Sequence, residues 1–181
     1  MELQSPFEGR LVRLRALEPE DEPNLYEWYN DYEVTQHLML RYPLSHATER
    51  QFIERQAQPA QAGSHFAICL KEDGRLIGGS GLTVALPENR EARLGIAIGD
   101  KSYWDRGYGT DAMRTICRFG FEQMNMHRIE LDVYSHNERA RKVYEKVGFQ
   151  VEGCRRQAVF KYGRYLDVIV MGVLEGELKL E

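Results

Sequence analysis

Two glycines spaced by one residue, Gly107-Tyr108-Gly109, run directly into residues 110–124, where Met113, Ile116, Cys117, Gly120, Phe121 and Met124 recur with helical periodicity. A glycine pair at a loop-to-helix junction lets backbone N–H groups turn toward an anion at the positive end of the helix dipole. Glycines that merely satisfy turn geometry are the plainer alternative for an isolated pair. The preceding segment narrows the choice. In residues 92–98 the side chains of Leu94, Ile96 and Ile98 share one face of a strand, while Gly95, Ala97 and Gly99 leave the opposite face nearly bare. A strand with a bare face, a glycine turn and an amphipathic helix together suit an extended ligand that ends in phosphate.

The remaining segments surround that unit. Leu11-Val12-Arg13-Leu14-Arg15 alternates as an opening strand, and Pro19 begins an acidic helical stretch reaching about Asn30. Ser45 caps an expected helix over residues 46–58, closed by residues 59–63. Strands are expected at 65–70 and 75–86, joined to each other by Glu72-Asp73-Gly74 and to 92–98 by Pro87-Glu88-Asn89. Residues 128–134 alternate Ile129, Leu131 and Val133 with Glu130, Asp132 and Tyr134, the pattern of a half-buried strand. Ser135-His136-Asn137-Glu138 fits a capping box, and the helix it opens carries Ala140, Val143, Tyr144 and Val147 before Gly148 ends it. Residues 149–154 and 167–174 complete the set as strands. The order implies a mixed sheet, antiparallel early and crossing over through helices later.

Composition excludes several classes. The 181 residues suit one domain, spanning residues 1–181, with a core large enough to need no disulfide or metal. Lys and Arg number 24 against 28 Asp and Glu, a formal charge of −4 that argues against a nucleic-acid partner. No apolar run approaches the ~18 residues of a membrane span, and no secretory signal is seen, so neither a membrane nor export is expected. Cys69, Cys117 and Cys154 are odd in number and widely spaced, which reads as reduced thiols in a cytoplasmic protein. The five histidines form no zinc-binding spacing, and no metal is expected.

Gly107-x-Gly109-x-x-Ala112 also matches a dinucleotide fingerprint, with Glu130 or Asp132 about 20 residues on. In such folds the first glycine follows the strand directly. Here Gly99 to Arg106 intervene, and the remaining chain is too short for that sheet. A nucleoside-triphosphate loop is excluded because no Gly-Lys-Ser or Gly-Lys-Thr occurs.

Tyr103-Trp104-Asp105-Arg106-Gly107-Tyr108-Gly109-Thr110-Asp111-Ala112, followed by Asn137-Glu138-Arg139-Ala140-Arg141-Lys142-Val143-Tyr144-Glu145-Lys146-Val147-Gly148-Phe149, resembles the acetyl-CoA loop and helix of the GNAT acyltransferases. Gly9-Arg10-Leu11-Val12-Arg13-Leu14-Arg15 and Gly163-Arg164-Tyr165-Leu166-Asp167 are similar to the branch holding ribosomal-protein N-terminal and spermidine acetyltransferases. Trp104 stands where the superfamily often has Gln or Arg, a departure common in this branch.

The resemblance implies an α+β fold of three α/β/α layers, with a central mixed, mostly antiparallel sheet split to admit acetyl-CoA. It implies that Ile96, Ala97 and Ile98 pair with the pantetheine arm. The amides of Arg106, Gly107, Tyr108, Gly109 and Thr110 would hold the pyrophosphate. Asn137 would bond the pantetheine or its acetyl end, with Arg139 and Lys142 adding charge nearby. Tyr144 matches the tyrosine that protonates the leaving sulfur. Asp132 is the candidate base, directly or through water, and Glu130 shares its face. The implied activity is acetyl transfer to a primary amine: a protein N-terminus, a polyamine or a small amine. A non-catalytic acyl-CoA sensor or scaffold is the alternative, and a homodimer is the assembly common in relatives.

Between Ala16 and Leu40 lie seven acids and no Lys or Arg, interleaved with Tyr26, Trp28, Tyr29 and Tyr32. Such a rim either attracts a cationic amine acceptor or is a solvated helix exterior with its aromatics turned inward. On the first view Tyr32, Glu33, Tyr165 and Asp167 border the acceptor cleft.

Overall fold

A computed structural model describes residues 5–56 and 63–181. The strands are β1 (Val12–Arg15), β2 (Gly63–Leu70), β3 (Leu76–Leu86), β4 (Glu91–Ile98), β5 (Arg128–Tyr134), β6 (Gln150–Lys161) and β7 (Arg164–Leu174). The α-helices are α1 (Glu22–Asn30), α2 (Tyr32–Thr35), α3 (His46–Gln56), α4 (Tyr108–Glu122) and α5 (Glu138–Val147). The sheet runs β1-β2-β3-β4-β5-β7-β6, antiparallel at every junction except the parallel β4–β5 pair. The expected mixed, mostly antiparallel sheet with helices on both faces is therefore present.

Period-2 alternation decides which residue enters which layer. On β2, Phe66, Ile68 and Leu70 join one core with Met113, Ile116 and Cys117 of α4. Ala67 and Cys69 turn the other way, into a second core with Leu25 of α1 and Ile53 of α3. Each fully buried Leu or Ile adds ~1.5–3 kcal/mol, and β2 is anchored from both faces. Among the described residues, no helix is long and apolar enough to cross a membrane.

Several boundaries differ from expectation. The cap of α5 is Asn137, whose Oδ1 accepts the Ala140 N–H at 3.2 Å, and not Ser135. The Ser135 N–H instead continues the sheet toward the Asp167 carbonyl oxygen at 3.0 Å, which delays the helix start. The last two strands are longer than expected and meet at Tyr162-Gly163, both at positive φ. Because β6 is an edge strand exposed over most of its length, its sequence shows no alternation to read. The face expected to be bare is covered at Gly99, where a Cβ would lie 2.2 Å from the Trp28 ring, yet stays open at Gly95. The expected helix end at 57–58 and its closing turn at 59–62 lie outside the described residues, and Gly63 already belongs to β2.

Candidate active site

β4 and β5 pair only from Glu91 to Arg93 against Arg128 to Glu130, and beyond that they part. β4 continues along β3 to Ile98, whereas β5 continues along β7 to Tyr134. A wedge opens between them. One side holds a cavity of about 690 Å³ and the other a cavity of about 880 Å³. His37, Leu38, Ile96, Ala97 and Tyr144 line both, so the two spaces meet at these side chains.

The smaller cavity gathers most of the expected cofactor residues. Ile96, Ala97, Ile98, Gly107, Gly109, Thr110, Asn137, Arg139 and Lys142 all line it. Gly107 is the N-cap of α4 at φ 88°, a conformation that favours glycine, and it leaves the first-turn amides without intrahelical partners. An acid in that turn would repel an anion, but the Asp111 carboxylate accepts the backbone N–H groups of Arg10, Leu11 and Val12 at 3.0, 2.8 and 3.0 Å. Arg106 and Tyr108 do not line the cavity. The Arg106 guanidinium donates to the Ser102 carbonyl oxygen at 3.2 Å and lies over the Tyr103 ring, and Tyr108 packs edge-on against Tyr103. Their backbone amides remain part of the turn. The Trp104 indole N–H donates to the Ile98 carbonyl oxygen at 2.7 Å, and its ring lies 4.0 Å beneath the Arg139 guanidinium.

Tyr144 stands at the junction of the cavities on the apolar stripe of α5. Burial raises its phenol pKa to about 12, so the hydroxyl keeps its proton at neutral pH. Asp132 lines only the larger cavity. Its Oδ2 is ion-paired to Arg155 and lies 3.7 Å from Arg93, while Oδ1 is buried without a partner. Two guanidinium groups therefore hold one edge of this carboxylate, and its other oxygen is left without a partner. Glu130 is also held by two, those of Arg93 and Arg128.

The larger cavity contains groups that periodicity did not mark. Glu49 of α3 is 3% exposed, its Oε2 has no hydrogen-bond partner, and burial followed by the nearby Glu22 charge raises its pKa. Tyr29, Phe52 and His65 share the lining. The aromatic residues interleaved with the acids did hint at this interior, since Tyr29 turns inward.

Tyr32, Glu33, Tyr165 and Asp167 line neither cavity. Tyr32 packs edge-on against Tyr162, and Glu33 accepts from Lys101 Nζ at 2.7 Å. Tyr165 packs on Phe160, and Asp167 accepts the Gln157 N–H at 2.8 Å inside an irregular stretch of the β6–β7 ladder. The acidic stretch is likewise largely spent internally: Asp21 on Arg15, Glu22 on His46, and Asp31 on Lys101.

The comparisons agree with this geometry. The family model described as an acetyltransferase (GNAT) domain matches residues 11–150. An uncharacterized N-acetyltransferase of Bacillus licheniformis, p20, is 30% identical across 97% of this chain and 98% of its own. Spermidine N(1)-acetyltransferase of Escherichia coli K12 is 27% identical across 94% of this chain and 89% of its own. The crystal structure of spermidine N-acetyltransferase from Vibrio cholerae in complex with CoA and spermine superposes with a TM-score of 0.84 at 25% identity, covering 92% of this chain and 96% of that one. With the split sheet, the glycine-capped helix and Tyr144 at the meeting point of two cavities, the chain belongs to the GNAT acetyltransferase family.

Proposed function

We propose that the protein moves an acetyl group from acetyl-CoA to a primary amine that carries a second cationic group. The observation that carries the acceptor class is Glu49, an unpartnered buried carboxyl in the wall of an aromatic cavity. A buried acid without a partner is costly, and an ammonium beside it relieves that cost. Aromatic faces nearby favour the same cation. A polyamine or a diamine fits this description, in keeping with the spermidine acetyltransferases among the relatives.

Acetyl-CoA, when bound, supplies an activated thioester. The amides of the α4 turn and the Arg139 and Lys142 charges hold its phosphates. The parted edge of β4 at Ile96–Ile98 receives the pantetheine arm. Asn137 has already given its oxygen to the helix cap, so its amide N–H groups are the atoms left to donate. Tyr144 gives its hydroxyl proton to the departing sulfur. Asp132, held by Arg155 and Arg93, orients the acceptor wall on β5. The free thiols of Cys69, Cys117 and Cys154 support a cytoplasmic setting.

The test is release of free CoA thiol from acetyl-CoA with a panel of monoamines, diamines, polyamines and amino-terminal peptides. Diamines or polyamines should show the highest kcat/KM. Binding of acetyl-CoA with no release above the acceptor-free rate for any amine would favour a sensor or scaffold.

A further inference from the structure

The acceptor amine must lose a proton as it attacks; on β5, Glu130 is ion-paired to Arg93 and Arg128, and Asp132, ion-paired to Arg155, lines only the larger cavity. We propose that the His37 imidazole takes that proton. The inference rests on the acetyl transfer proposed above, and four observations carry it.

His37 follows α2 and lines both cavities, as Tyr144 does, whereas Asp132 lines only one. It therefore stands where an amine from the larger space meets a thioester from the smaller. Its Nδ1 is buried with no hydrogen-bond partner. Buried polar atoms are nearly always satisfied, and this nitrogen is left free to accept a proton.

The segment bearing His37 is pinned. Lys161 of β6 donates to the carbonyl oxygens of Thr35 and Leu38, both at 2.7 Å, and the Tyr134 hydroxyl donates to the Leu38 oxygen at 3.3 Å. These bonds hold the backbone on either side of His37, which keeps the residue at the junction.

The ring is also held neutral. Burial lowers its pKa, and the neighbours acting on it are His136 from the turn before α5, Arg139 from α5 and Lys161 from β6. The two histidine rings lie 5.3 Å apart. Positive or potentially positive groups disfavour imidazolium, so His37 arrives at neutral pH able to accept.

The step balances. The amine lone pair forms the C–N bond, the C–S bond breaks, and the sulfur takes the Tyr144 hydroxyl proton. The proton shed by the amine nitrogen passes to His37, which returns it to the Tyr144 phenolate. An acceptor that arrives as ammonium loses one further proton to solvent.

The test is the pH profile of kcat/KM, measured with the best amine of the panel for the wild type and His37→Gln. In the wild type, log kcat/KM should rise with a slope of two below the His37 pKa, from base and amine together, and with a slope of one above it. His37→Gln should show a slope of one throughout and at least a tenfold lower kcat at pH 7, with acetyl-CoA affinity within threefold. Histidine side-chain NMR on the wild type supplies a second readout, because one imidazole must titrate where the slope changes. A His37→Gln enzyme with the wild-type profile and turnover overturns the assignment while leaving acetyl transfer intact. An absence of imidazole titration at the break also overturns it. A wild type that releases no thiol with any amine overturns the acetyl-transfer proposal itself.

Discussion

The Asp111 carboxylate, in the first turn of α4, accepts the Leu11 backbone N–H at 2.8 Å across a hundred residues of chain. With the bonds to Arg10 and Val12 it ties the opening strand to the helix whose N-terminus lines the smaller cavity. Asp111→Ala strands three donors, the Val12 N–H among them fully buried, and should destabilise the fold by on the order of 3 kcal/mol. Asp111→Asn keeps one acceptor oxygen and should lose less. Urea denaturation of the three proteins checks the order.

Tyr144→Phe keeps the ring against Phe149 and removes only the hydroxyl. If the phenol protonates the thiolate, kcat should fall by roughly 10²-fold, the lower end of general-acid contributions. Acetyl-CoA affinity by calorimetry should hold within about twofold. Because burial sets the phenol pKa at about 12, its protonated form persists through ordinary assay conditions. No alkaline fall in kcat attributable to Tyr144 is expected below about pH 11.

On the proposed reading, Glu49 trades stability for recognition. Its folded pKa lies above the unfolded value, so the native state holds its proton more tightly than the unfolded chain does. Its contribution therefore weakens as pH rises from the unfolded pKa through the folded one. Glu49→Gln should raise the melting temperature at pH 7 and leave it little changed near pH 4. The same variant should raise KM for a diamine by about tenfold and leave a monoamine nearly unaffected. Equal effects on both amines would remove Glu49 from acceptor recognition.

The residues that line the smaller cavity are legible in the sequence because their signals are local. Gly107 beside an amphipathic helix, and Tyr144 on a stripe with Val143 and Val147, are visible within a few positions of each other. The larger cavity is not legible in this way. Glu49, His65 and His37 sit on different elements, and only the fold brings them to one cavity, which β3 and β4 also line. Tyr32, Glu33 and Asp167 were expected at the site from composition and resemblance. A Lys101 ammonium and a Gln157 N–H had already claimed two of them, which no local pattern reports. The β6–β7 hairpin was too short in expectation for a related reason. An edge strand wet on both faces carries no alternation.

Trp104 and Arg139 form a single unit at the mouth of the smaller cavity. The indole N–H fixes the ring to the Ile98 carbonyl oxygen, and the fixed ring holds the guanidinium 4.0 Å above it, with Asp105 Oδ2 at 3.8 Å. Asp105 is well exposed, so the ring, and not that salt bridge, determines where Arg139 sits. Removing the charge and removing the platform should then have separable effects. Arg139→Ala should weaken acetyl-CoA binding several-fold at low salt and less at high salt, because phosphate attraction is screened. Trp104→Phe keeps an aromatic face but breaks the bond to Ile98. It should weaken binding by a factor that salt does not remove, because the end of β4 loses its anchor. Calorimetric titration of acetyl-CoA at two ionic strengths separates the two. A salt-independent loss in Arg139→Ala would show that the guanidinium supports Trp104 and leaves the phosphates to the α4 amides.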